Sequence, residues 1–142
     1  MLAKELMTRS VECISPDTPL PVVARQMRSL DVGFLPICEN NRLVGTLTDR
    51  DIVLRVIAEE KAPKDCRARD IMTSEVYWCY EDQTAEDVAH YMAHKAIRRL
   101  LILNREKRLV GVISIGDLAK GGEHRKTGEA MHDIAVTPAQ AA

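Results

Sequence analysis

The chain has 142 residues, 46% of them hydrophobic and 29% charged, with a formal net charge of -1; that is enough for one domain, or two joined half-domains, to bury a core without metal or disulfide. Lys and Arg number 20 against 21 Asp and Glu, so no basic footprint for nucleic acid is present. No apolar run approaches the roughly 20 residues that span a bilayer, and the opening MLAKELMT lacks a signal-peptide core; the expectation is a cytoplasmic protein with no membrane insertion.

Near the start, Met7-Thr8 recurs as Met72-Thr73, and in the same register Asp17 matches Asp82, Val23-Ala24 match Val88-Ala89, and Met27 matches Met92. After Cys38 the second copy gains one residue, and Leu43-Val44-Gly45 then matches Leu109-Val110-Gly111. Self-similarity at such a period marks repeated supersecondary units that need each other to bury a core. The repeats are read as 1–58 and 70–120, joined by a polar linker 59–69 and followed by a flexible tail 121–142.

In chain order, VECIS is a short extended run, and Thr18-Pro19 then starts a helix with Thr18 as N-cap and Pro19 in the first turn. Leu20, Val23, Met27 and Leu30 follow at helical spacing, and Gly33 stops the helix. FLPIC and RLVGTLT are strands around Glu39-Asn40-Asn41, and DRDIVLRVIA opens a second helix. The second copy follows with VYWCY, TAEDVAHYMAHK, RRLLILN, RLVGVIS and GDLAK. The fold class is therefore α/β, more narrowly α+β, with two β-α-β-β-α repeats packed face to face in pseudo-twofold symmetry.

Both copies carry a glycine, a hydroxyl three residues later and an aspartate three after that: Gly45, Thr48 and Asp51, then Gly111, Ser114 and Asp117. Taken alone, Thr48-x-x-Asp51 is a capping box, a common helix start. Its recurrence at the same point of both repeats favours more. A small residue permits close approach, helix N-termini receive phosphate, and a carboxylate accepts charge-assisted hydrogen bonds from the hydroxyls of a ribose.

The LVGTLTDRD and LVGVISIGD segments, the FLPI strand, the Asp70-Ile71-Met72-Thr73 opening and the paired halves resemble a tandem cystathionine-β-synthase (CBS) domain pair, or Bateman module, over about residues 5–120. The resemblance implies a regulatory module that takes adenine nucleotides or adenosyl ligands, of the AMP, ADP, ATP, NAD or S-adenosylmethionine type, in clefts between the repeats; no Ser-His-Asp, Cys-His or P-loop arrangement is present and there is no room for a catalytic domain, so the module is expected to stand alone and not to be an enzyme. It also implies a homodimer and an unknown regulated protein. By the same resemblance Asp51 and Asp117 meet ribose, and Thr48 and Ser114 meet phosphate or adjoining backbone. The base would lie against Ile14-Ser15 or Cys79-Tyr80 and against Phe34-Leu35-Pro36 or Arg99-Leu100-Leu101. The second copy departs from the first, with Leu101 at the place of Pro36 and Gly116 at the place of Arg50. Arg98-Arg99, aligned with Gly33-Phe34, suits a phosphate by its guanidinium forks, although surface arginines flanking a strand are ordinarily just solvated.

Other residues point less far. His90 and His94 lie four apart on a helix but lack the glutamate of H-E-x-x-H, and no metal is expected. Tyr77, Trp78 and Tyr80 alternate between strand faces, so only some can line one cleft. Cys13, Cys38, Cys66 and Cys79 form no C-x-x-C pair and are expected to be reduced, largely buried thiols. Two rivals remain: a ligand-free structural or interaction module, and a thiol or metal sensor.

Overall fold

The structure is a computed structural model, and it describes residues 1–9, 11–122 and 124–137. In chain order the elements are α1 (Ala3–Leu6), α2 (Leu20–Leu30), β1 (Phe34–Glu39), β2 (Arg42–Thr48), α3 (Asp49–Ile52, continued by a π-helical turn Val53–Ile57), α4 (Ala68–Ile71), β3 (Trp78–Tyr80), α5 (Ala85–Lys95), β4 (Arg99–Leu103), β5 (Leu109–Ser114), α6 (Ile115–Lys120) and α7 (His124–Val136). A short 3₁₀ turn, Pro63–Asp65, precedes α4. Helix and strand are mixed within each repeat, as an α+β reading requires.

The chain divides into two compact units, one built from Met1–Val11 with the chain from Tyr77 onward, the other from Glu12–Val76. Their limits differ from the repeat boundaries read in the sequence because each repeat's opening segment docks on the other repeat's hairpin. Thr8 pairs with Val112, and Thr73 pairs with Thr46. The glycines of the two LVG stretches make room for this. A Cβ on Gly45 would lie 2.7 Å from Met72 Sδ and 3.0 Å from the Thr73 carbonyl, and one on Gly111 would lie 2.9 Å from the Thr8 carbonyl. The close approach these glycines permit is therefore to the Met72 and Met7 side chains and to the backbone carbonyl of the residue after each.

In the Glu12–Val76 unit, β1 and β2 form an antiparallel hairpin in which Phe34 stands opposite Thr48 and Leu35 opposite Leu47. The extended run expected at VECIS contracts to one parallel bridge, Ile14 to Ile37; Pro16 has no N–H with which to continue it. Ile14, Leu20, Val23, Leu35, Ile37, Leu47, Val56 and Ile71 form the core. Thr18 does not cap α2: its N–H donates to Ser15 O at 3.0 Å and its carbonyl accepts from Ala68 N at 2.9 Å, which commits it to a turn against α4. The cap position falls on Pro19, without a side-chain bond. Nor does Gly33 stop α2, since the chain leaves the helix at Asp31, whose φ of 54° is left-handed and is tolerated by a short polar side chain.

In the other unit β3, β4 and β5 form one sheet, β3 parallel to β4 and β4 antiparallel to β5. Val88, Met92, Leu100, Ile102, Ile113 and Leu118 are fully buried in its core. Thr84 caps α5 by accepting from Asp87 N at 3.1 Å. The segment from 121, expected to be a flexible tail, instead forms α7, which packs on α5 and α6. Ala130 and Ile134, four apart, are its buried face, a pairing too short to stand out among the polar residues around it. Residues 138–142 lie outside the described residues.

The cysteine expectation is corrected in part. Cys13 and Cys38 form a disulfide with Cα atoms 5.6 Å apart, because the Ile14–Ile37 bridge brings their chain neighbours within disulfide range. Cys66 and Cys79 are free and buried, as expected.

Candidate functional site

In the Glu12–Val76 unit, β2 ends at Thr48 and turns directly into α3. Thr48 Oγ1 accepts from Asp51 N at 3.1 Å, and Asp51 Oδ2 accepts from Thr48 N at 3.0 Å. The capping box anticipated as the simpler reading is thus present, and both residues are buried, Thr48 at 1% and Asp51 at 4% exposure. Arg50 is exposed, and its N–H donates to Asp49 Oδ1 at 2.8 Å. Ile14 N donates to Pro36 O at 3.0 Å, so Ile14, Leu35 and Pro36 are buried together while Ser15 is exposed and Phe34 half-buried.

The same turn recurs between β5 and α6. Ser114 Oγ accepts from Asp117 N at 3.2 Å, and Asp117 Oδ2 accepts from Ser114 N at 2.8 Å. Here both residues are only half-buried. Arg99 stands opposite Ser114 in the sheet, and the Arg98 carbonyl accepts from Ile115 N at 3.0 Å. The two exposed arginines and the serine–aspartate pair therefore meet at one end of this sheet, with Leu100 and Leu101 buried just behind them.

Cys79 and Tyr80 are placed elsewhere. Tyr80 stands opposite Leu103, four residues along β4 from Arg99, or about 13 Å at the usual rise. The Arg105 guanidinium lies over its ring at 4.0 Å, and Trp78 meets it edge-on at 5.0 Å. Arg105 also makes a two-pronged pair with Asp82 at 2.8 and 2.9 Å, which holds the Asp82 carboxyl below its usual range. Cys79 is a core thiol pushed up to about 11, first by burial and then by the Asp87 charge, so it is protonated at neutral pH. The two residues thus sit apart from the Ser114–Asp117 turn. His90 and His94 are exposed on α5, and among the described residues no group of three His, Cys, Asp or Glu is placed to hold a metal. No helix among those residues is long and apolar enough to cross a membrane.

One residue of consequence, Arg55, escaped the sequence reading. Its Nη2 lies 3.6 Å from Asp51 Oδ1, and its Nη1 donates to Ile71 O at 2.8 Å and Thr73 Oγ1 at 3.1 Å. An acidic residue followed by a basic one four positions later was the available signal.

Comparison with known proteins supplies the family. The sequence model of the CBS domain matches residues 3–58 and again 68–123. Hypoxic response protein 1 of Mycobacterium tuberculosis is 32% identical over 119 residues, 83% of this chain and 82% of that protein. A crystal structure of Hypoxic Response Protein I with two coordinated zinc ions superposes with a TM-score of 0.75 at 30% identity, over 85% of this chain and 98% of the other. CBSX2, solved in complex with AMP, shares the fold at a TM-score of 0.72 and 21% identity, over 88% and 98% of the two chains.

Proposed function

The chain belongs to the CBS-domain family, and we propose that it is a regulatory module that binds an adenine nucleotide and passes the bound state to a partner protein by conformational change. The observation that carries this reading is the Ser114–Asp117 pair, half-buried, beside the exposed Arg98–Arg99 at the end of one sheet. A carboxylate with one oxygen committed to its own turn has the other for a ribose hydroxyl, and guanidinium forks suit phosphate. Thr48 and Asp51 form the same turn in the first repeat, with Phe34 opposite Thr48 and Asp51 Oδ1 facing Arg55. That a protein of this fold is solved with AMP supports the choice of ligand class. Signalling then requires the ligand to favour one of two states by its differential affinity.

We also propose that the module is a homodimer. In the Glu12–Val76 unit Val32, Val53, Leu54 and Ile57 are 41%, 55%, 45% and 57% exposed, and an open depression of about 480 Å³ between α2 and α3 lies beside them. Val32 and Val53 line that depression, and an exposed apolar face of this kind can be covered by the same face of a second copy, as a twofold interface requires.

A thermal-shift panel with AMP, ADP, ATP, NAD and S-adenosylmethionine tests the ligand, since a compound that binds only the folded state raises its stability. A rise with an adenine nucleotide that Asp117→Ala removes is expected. No rise with any of them would end the nucleotide reading. Zinc chloride belongs in the same panel, because the relative solved with two zinc ions makes the metal a direct alternative.

A further inference from the structure

The two repeats carry the same hydroxyl–aspartate pair, but its carboxylates are not in the same state. In the first repeat both oxygens of Asp51 are engaged: Oδ2 accepts from Thr48 N at 3.0 Å, and Oδ1 faces Arg55 Nη2 at 3.6 Å. Arg55 is itself tethered, donating to Ile71 O at 2.8 Å and Thr73 Oγ1 at 3.1 Å. A guanidinium fixed by two hydrogen bonds loses little further freedom in holding the carboxylate, and the Asp51 side chain is only 5% exposed.

In the second repeat the register places Gly121 where the first has Arg55, and Leu6 where the first has Ile71. A Cβ on Gly121 would run into the Leu6 side chain. An apolar contact therefore stands where the first repeat has a donor. Asp117 Oδ2 accepts from Ser114 N at 2.8 Å, while among the described residues no ion pair reaches its other oxygen. A ligand hydroxyl approaching Asp51 has to displace an ion pair, whereas one approaching Asp117 displaces water.

On the nucleotide-binding reading above, we propose that Arg55 closes the first repeat's aspartate to ligand, so that the chain takes one nucleotide, at Ser114 and Asp117. Arg55 is a positioning residue here, acting through Asp51 and touching no ligand itself.

Isothermal titration of the whole chain with AMP tests this by stoichiometry, which a purely structural role for Arg55 would not move. The expected result is one AMP per chain, lost in Asp117→Asn and still present in Asp51→Asn. Arg55→Ala should open a second binding event, with Arg55→Gln as the milder variant that keeps a donor for Ile71 O. Two AMP per wild-type chain, or a single event lost in Asp51→Asn and kept in Asp117→Asn, would overturn the assignment while leaving the nucleotide reading intact. A folded Arg55→Ala that still binds one AMP would overturn the role of Arg55. Absence of AMP binding together with an empty thermal-shift panel would remove the nucleotide reading and this inference with it.

Discussion

The helix pairs of the two units are equivalent in sequence register but not in surroundings. In the unit from Tyr77 onward, α7 lies on α5 and α6 and buries Ala130 and Ile134. In the Glu12–Val76 unit the short 3₁₀ turn Pro63–Asp65 packs on α2, and Val53 and Ile57 are more than half exposed. A repeat thus presents an apolar helix face by default, and an appended helix decides which copy keeps it bare. The same contrast extends to the strands, since one unit holds its first strand by a parallel ladder of three residues and the other by a single bridge with a disulfide beside it.

Removing residues 121–142 breaks the comparison most severely, because it strips α5 and α6 of their cover. Loss of the buried Ile134 and Ala130 contacts should cost about 3–5 kcal/mol in urea unfolding, with light scattering reporting new association through the exposed face. The point variant Ile134→Ala should cost about 2 kcal/mol or more. Retention of full stability would mean that α7 is not the structural cover of α5 and α6.

Cys13→Ser removes a clamp that one unit has and the other lacks. The disulfide spans a sequence separation of 25, and cross-linking a loop of that size contributes about 3 kcal/mol by restricting the unfolded chain. The expected result is that wild type exceeds the variant by that amount without reductant and that dithiothreitol abolishes the difference. Alkylation adds a check: native protein should react slowly at Cys79, whose thiol is pushed up to about 11, and rapidly once unfolded. Equal stability of wild type and variant under oxidising conditions would exclude the clamp.

Val53→Glu with Ile57→Lys sharpens the contrast of the helix faces. Charges there should convert a dimer to a monomer in sedimentation velocity while circular dichroism stays unchanged, since both side chains are exposed within the unit. A wild type that already sediments as a monomer would leave this face without the proposed occupant.

The smallest effect concerns the helix starts. Thr84→Ala should destabilise by about 1 kcal/mol, the usual worth of an N-cap. Thr18→Ala should fall within about 0.5 kcal/mol, as expected where no cap is lost, because the α2 cap falls on Pro19 without a side-chain bond. Equal losses at the two positions would restore Thr18 as a cap.

Much of the fold was legible because it rests on local rules. Turn residues placed the first hairpin, i, i+3 and i, i+4 spacing placed α2, the repeat carried both to the second copy, and Thr48-x-x-Asp51 and Ser114-x-x-Asp117 declared helix starts that are present as capping boxes. The start of α2 was misread because its register counterpart Thr84 has Pro19 opposite it, while Thr18 next door is held by Ala68 from far along the chain. Tyr80 looked like a companion of the Ser114 turn until the parallel register set it opposite Leu103.

Sequence by itself determined the repeat, the two hairpins, the β-to-α turns and the hydroxyl–aspartate pairs, since the turns and pairs depend on neighbours within a few residues. Only the tertiary structure decided that the opening segments dock on the opposite repeat's hairpin, that Cys13 meets Cys38, that α7 covers one pair of helices, and that Asp51 is held by an arginine while, among the described residues, no ion pair reaches Asp117. Each of those depends on which distant segments approach in space, and periodicity carries no information about pairing across dozens of residues.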